Sequence, residues 1–159
     1  MANAQVHVDR QRLQEEVGRW LSGYRWQLYL VLTFARPPRP ETVQKAAEGW
    51  YASVRAEYPR AYAYISADRG AELQRWNLHV LLGGLFEHAP PPEPFRTLGL
   101  ERARAQAARW WRQWGAVRKA EPFEPRRGAA SYVAADWMEP EVPGMLLGTP
   151  IRKAHQRRA

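Results

Sequence analysis

Apolar positions along the chain keep two different periods, and the switches between them mark out its elements. From about Asp9, a plausible N-cap, to Leu21, the residues Leu13, Val17, Trp20 and Leu21 fall on one stripe of a helix that Ser22 and Gly23 end. WQLYLVLTF (26–34) is a run of leucine, aromatic and β-branched residues closed by ARPPRP, whose prolines cannot donate to a ladder, and it predicts a strand. Helical spacing returns over 41–58 with Val43, Ala46, Ala47, Trp50, Val54 and Tyr58, and Pro59 closes it. AYAYISAD (61–68) and WNLHVLLGG (76–84) predict two further strands joined by the loop RGAELQ. After the proline-rich EHAPPPEPF, a helix is expected over about 100–114, with Ala103, Ala107, Trp110, Trp111 and Trp114 toward one side and Gly115 as its stop. AVRKAEPF (116–123) is a weaker strand, and GAASYVAADWM (128–138) a short helix.

The predicted order is helix, β, α, β, β, α, β, α. Its middle six elements match the split βαβ, ferredoxin-like pattern, also shared by RRM-like domains. The fold class expected is therefore α+β, an antiparallel sheet with helices on one face and the other face open for an active site. Residues 1–138 form one domain in this reading, and 139–159 a Pro/Gly loop and basic tail.

Side chains alternate across a strand, so each strand can be sorted into two faces. Trp26, Leu28, Leu30, Leu32 and Phe34 form a core set opposite Gln27, Tyr29, Val31 and Thr33. Ala61, Ala63, Ile65 and Ala67 oppose Tyr62, Tyr64, Ser66 and Asp68. Trp76, Leu78, Val80 and Leu82 oppose Asn77, His79 and Leu81. If the second and third strands are neighbours, Asp68, Asn77 and His79 stand together on the open face. A carboxylate, an amide oxygen and an imidazole in reach of one another can hold a divalent cation. The competing reading of a lone strand histidine is a hydrogen-bonded structural residue. Tyr62 and Tyr64 have two readings as well, rings on which bases stack or rings packed beneath the N-terminal helix.

Composition narrows the function classes. The 159 residues suit one domain that removes about two thirds of its unfolded surface from water. The absence of cysteine excludes disulfides and thiolate-bound zinc. No run approaches the roughly 18 apolar residues of a membrane span and the start has no apolar signal region, so a cytoplasmic protein without a membrane partner is expected. Twenty-four Lys and Arg against 16 Asp and Glu give a formal charge of +8, which favours a polyanion, nucleic acid first. Arg152, Lys153, Arg157 and Arg158 concentrate part of it in the tail, either a solvated end or an arm for phosphates. Arg69, Arg126 and Arg127 lie in loops suited to meeting phosphates.

On the last predicted helix, Tyr132 and Asp136 are four positions apart, while Ala130, Val133, Ala134 and Trp137 take the core side. Tyr132 need not be buried. A tyrosine lying across a sheet that holds a metal can attack a phosphodiester and become covalently linked to the released strand end; the plain alternative is a ring at a helix rim.

The strand ending in LTF, the hydrophobe-His-hydrophobe run with its following small residues, and the GAASYVAADW helix resemble, in that order, the three motifs of the HUH superfamily of nicking endonucleases, of the rolling-circle replication initiator (Rep) type found in plasmids and small phages. The resemblance spans about residues 26–138. It implies metal-dependent nicking and joining of single-stranded DNA through a phosphotyrosine intermediate in replication initiation. Tyr132 would be the nucleophile, and Mg²⁺ or Mn²⁺ would be held by His79, Asn77 and Asp68, with Glu72 a less favoured third ligand. Asn77 stands where the family has the first histidine of its pair, and Ala135 where a lysine is common. The implied partner is single-stranded or hairpin origin DNA. Helicase motifs are absent, so unwinding would come from a host helicase. The alternatives are a non-catalytic origin- or hairpin-binding module of the same fold, and an RNA binder using Tyr62 and Tyr64, against which the missing RNP-type signature speaks.

Overall fold

The chain is described by a computed structural model over residues 2–69, 76–86, 93–125, 128–134 and 139–154. Its elements are α1 (Ala2–Ser22), β1 (Leu28–Phe34), α2 (Pro40–Glu57), β2 (Tyr62–Asp68), β3 (Asn77–Gly83), α3 (Phe95–Trp111), β4 (Gly115–Pro122), α4 (Ala129–Ala134) and β5 (Met145–Leu147). The five strands form one sheet in the order β4-β1-β3-β2-β5, and every pairing is antiparallel. The first four strands in this order are the ferredoxin-like arrangement expected from the sequence. The fold is α+β.

One face of the sheet is the main core. Leu28, Leu30, Leu32, Ala63, Ile65, Leu78, Val80 and Leu82 meet Val43, Ala46, Ala47, Trp50 and Val54 of α2, and Ala103, Ala107 and Trp111 of α3. The two buried indoles also find acceptors, as such rings must: Trp50 donates to the Ala107 carbonyl at 3.2 Å and Trp111 to the Thr33 carbonyl at 2.9 Å. The helices are thereby tied to each other and to the end of β1. α2 begins at Pro40, whose missing N–H would have had no intrahelical partner.

The other face is open at the end where Thr33, Asn77 and Asp68 are only half-buried. Farther along it is covered by α1 and α4. Here Leu21, Tyr29, Val31, Tyr62, Tyr64 and Leu81 form a second cluster with Ala130, Val133 and Ala134 of α4. Trp26 belongs to this cluster rather than to the main core, because it precedes β1 and turns its indole N–H to the Leu21 carbonyl at 2.7 Å.

Past residue 138, two segments depart from the expected outline. The Pro/Gly stretch after residue 138 contributes β5, three residues paired with β2. Residues 151–153 are bonded back to residues 23–25, through Arg25 N–H to the Ile151 carbonyl and Lys153 N–H to the Gly23 carbonyl, each at 2.8 Å. Gly84 ends the β3 segment with φ +73°, and a Cβ there would stand 2.1 Å from the Arg60 carbonyl oxygen, so only glycine fits the exit.

Candidate functional site

The pairing of β2 with β3 sets Asp68 directly opposite Asn77 and Ser66 opposite His79. On the other side of β3, Thr33 faces Asn77 and Val31 faces His79, and Val31 in turn pairs with Lys119 of β4. Alternation then puts Thr33, Asn77 and Asp68 in one row across the sheet, and Lys119, Val31, His79 and Ser66 in the next, all on the same face. The register puts Asp68, Asn77 and His79 on one face, the face on which the strand patterns group them. His79 Nε2 lies 3.8 Å from Asp68 Oδ2.

His79 is buried, with 4% of its surface exposed, whereas the Asp68 side chain keeps about a third of its own, 36%. Burial pushes the imidazole pKa below its ordinary value; the Asp68 carboxylate opposes this and the Lys119 ammonium reinforces it. Burial thereby favours the neutral form of the ring. Its Nδ1 is 2.9 Å from the Tyr29 hydroxyl, and the two rings lie nearly parallel at 10°. This contact couples the tautomers. When the phenol donates to Nδ1, the proton sits on Nε2 facing Asp68; when Nδ1–H donates to the phenol oxygen, the Nε2 lone pair faces Asp68 instead.

Tyr29 is the site residue that strand sorting alone did not single out. Its side of β1 was legible, but its contact with His79 depends on the β1–β3 register, which pairs Tyr29 with Leu81 and leaves it diagonal to His79. Ser66 is the second. It is fully buried, its Oγ has no hydrogen-bond partner among the described residues, and its strand partner is His79. Lys119 is the third, exposed on β4 with its ammonium 5.9 Å from the centre of the Tyr29 ring.

Other expected residues fare differently. Tyr62 and Tyr64, considered as base-stacking rings, are 1% and 4% exposed and lie under the helices. Tyr62 packs on Trp26 and donates its hydroxyl to the Arg25 carbonyl, while Tyr64 meets Trp20 edge to face. Neither presents a face to a base, because the second hydrophobic cluster needs both. Arg69 pairs with Glu141 and lies over the Trp76 ring at 4.9 Å. The backbone of Tyr132 is in α4, which packs on β2 and β3 on the face that carries His79, while its side chain lies outside the described part of the structure. Arg126, Arg127, Glu72, Ala135 and Asp136 also lie outside the described residues, as do Arg157 and Arg158. Among the described residues no helix is long and apolar enough to cross a membrane, and no three His, Asp or Glu side chains cluster in the way a metal cage would require.

No family model matches the chain, and no curated protein matches it in sequence. A solved structure with some likeness is the N-terminal nuclease domain of non-structural protein 1 of minute virus of mice, at 12% identity and a TM-score of 0.31, covering 88% of this chain and 77% of that one. That domain is described as having a unique Zn²⁺ coordination in its active-site pocket and a novel mode of DNA recognition at the origin of replication. At this TM-score the two backbones agree only loosely, and the chemistry has to be sought in this chain's own side chains.

Proposed function

We propose that the chain is a metal-dependent endonuclease that nicks and rejoins single-stranded DNA at a replication origin, with Tyr132 as nucleophile and Asp68, His79 and Asn77 as ligands of Mg²⁺ or Mn²⁺. The observation that carries this reading is the meeting of Asp68, Asn77 and His79 on one face, at the half-open end of the sheet. The donors suit the ion. Two ligands each ~2.1 Å from a shared small cation stand about 3 to 4 Å apart, and His79 Nε2 and Asp68 Oδ2 are separated by 3.8 Å. The buried Ser66 stands opposite His79 in the β2–β3 pairing and adds a hydroxyl to the same face.

A bound cation would supply positive charge that polarises the phosphoryl oxygens. The protein's own groups do the rest. Tyr29 holds the His79 ring, burial favours its neutral form, and Asp68 brings the negative charge that draws a cation to a basic protein. α4 is anchored through buried Ala130, Val133 and Ala134, which holds the Tyr132 backbone against the sheet. The Tyr132 oxygen forms a bond to phosphorus while the bond from phosphorus to the neighbouring nucleotide's oxygen breaks, and the phenol's proton ends on that leaving oxygen. Rejoining is the reverse. The +8 charge supports DNA as the partner.

A second reading is favoured by Asn77, a neutral amide where an imidazole would bind the ion more strongly: a module that binds origin or hairpin DNA without cutting it. One experiment separates them. Incubated with single-stranded origin DNA and Mn²⁺, the protein should yield a slower-migrating covalent band on a denaturing gel, absent in Tyr132→Phe. Tight DNA binding with no band under any divalent cation selects the non-cutting module, and an undiminished band in Tyr132→Phe removes that residue from the role.

A further inference from the structure

Where α1 ends, the chain turns at Gly23 and is met by residues 151–153, which pair with it through a Tyr24–Arg152 bridge. The junction encloses a cleft of about 570 Å³. Arg19 of α1, Arg152 and Lys153 line it together with Trp20 and Tyr24, and no carboxylate is among the lining residues. Trp20 is unusual for a tryptophan, with 41% of its surface exposed. It does not swing freely, since Tyr24 and Tyr64 hold it edge to face at centroid distances of 5.4 and 6.4 Å. The Arg152 guanidinium lies 5.7 Å from the centre of the Tyr24 ring.

Local structure accounts for only part of this. A basic residue in the last turn of α1 complements the helix dipole, which explains Arg19. It does not explain why two more cations, from the far end of the sequence, are brought beside it. Among the described residues none of the three forms a salt bridge with an acidic group. Gathering like charges without a counter-charge is unfavourable, and a polyanion relieves it. A fixed, exposed ring among cations is the combination used to bind unpaired nucleic acid, where phosphates meet the charges and a base stacks on the ring.

We infer that this cleft is a second binding site for single-stranded nucleic acid, in which Arg19, Arg152 and Lys153 hold phosphates and a base stacks on Trp20. It extends the proposed function by giving the strand a second point of attachment. Trp20 and Tyr24 belong to the face that carries His79, and the cleft lies beyond the start of β1 whereas Thr33 and Asn77 lie near its end. Seven strand residues separate the two places by roughly 20 Å. A strand of a few nucleotides reaches from one to the other.

The test is the salt dependence of binding to a fluorescent oligothymidylate, measured in EDTA on the full chain. Arg152 and Lys153 are exposed, and their pairing with residues 23–25 uses backbone atoms, so Arg152→Glu with Lys153→Glu should keep the melting temperature. Each lost phosphate contact lowers the slope of log K against log salt by about 0.7. The double variant should therefore bind more weakly, with a slope shallower by about 1.4. Trp20→Ala should weaken binding about tenfold with the slope unchanged, because stacking releases no counterion. Unaltered affinity and slope in the folded double variant overturns the site. Equal losses for oligothymidylate, duplex DNA and anionic vesicles also overturn it, since a base-stacking ring discriminates among them. With no divalent cation present, this result is independent of whether a covalent band forms with Mn²⁺.

Discussion

At the scale of single residues, His79 is shaped by two neighbours with opposite tasks. Asp68 draws positive charge toward Nε2, and Tyr29 holds Nδ1 at 2.9 Å. The partner of a ligand's other nitrogen sets its tautomer and aim, and losing such a partner typically weakens metal binding by about 10- to 100-fold. Tyr29→Phe keeps the ring and removes the hydroxyl. It should lower Mn²⁺ affinity about tenfold or more in calorimetry, at a stability cost of about 1 kcal/mol. His79→Ala should abolish binding, and Asn77→His should strengthen it by offering an imidazole nitrogen in place of a neutral amide. If Tyr29→Phe and Asn77→His both bind Mn²⁺ as the wild type does, the side chains are not acting on one ion.

At the scale of elements, the turn from α3 into β4 is a close join to β1. A Cβ at Gly115 would stand 1.8 Å from the Thr33 carbonyl oxygen, the same oxygen that accepts from Trp111. Gly115→Ala must push β4 away from β1 and disturb that bond, a loss of about 3 kcal/mol or more, read as a lower urea midpoint with the slope preserved. An unchanged midpoint would mean that the junction yields freely. The same scale shows what the sequence could convey. Strand faces were legible from alternation, and both faces of β3 carry the side chains assigned to them. α3 starts at Phe95 rather than near Leu100; its first turn went unread because Arg96, Thr97 and Leu98 are exposed and do not continue the buried stripe of Ala103, Ala107 and Trp111. β5 is three residues long, too short for alternation to register. Tyr62 and Tyr64 read alike whether a base or a helix covers them, so only the tertiary placement of α1 could decide. The Asp68, Asn77 and His79 grouping was legible once β2 and β3 were taken as neighbours; the Tyr29 contact required a register that no local pattern fixes.

At the scale of the whole molecule, three phenols enclosed to different degrees contribute to the response to alkali. Burial raises the pKa of Tyr51, Tyr58 and Tyr62 above 10.0, with nearby arginines opposing in each case. The folded state therefore retains protons that the unfolded chain releases. The stability this provides is fully present below pH 10 and is lost as pH rises from there through the folded-state values. Tyr62 is the most enclosed of the three, at 1% exposure. The loss of urea resistance between pH 9 and pH 11 should be smaller in Tyr62→Phe than in the wild type. An equal loss would assign alkaline unfolding to other groups.

The bulge in β4 has a consequence beyond its own molecule. Between Val117 and Lys119 the pairing with β1 slips by one residue, leaving Arg118 as the extra position on an exposed border of the sheet. A straight, uncharged border would offer a row of free amides and carbonyls on which another chain could build. Here the border is bent by an inserted residue, lined by two adjacent cations and closed by Pro122, while the opposite border is only three residues long. The features that shape this edge also disfavour the addition of a strand from another copy of the protein.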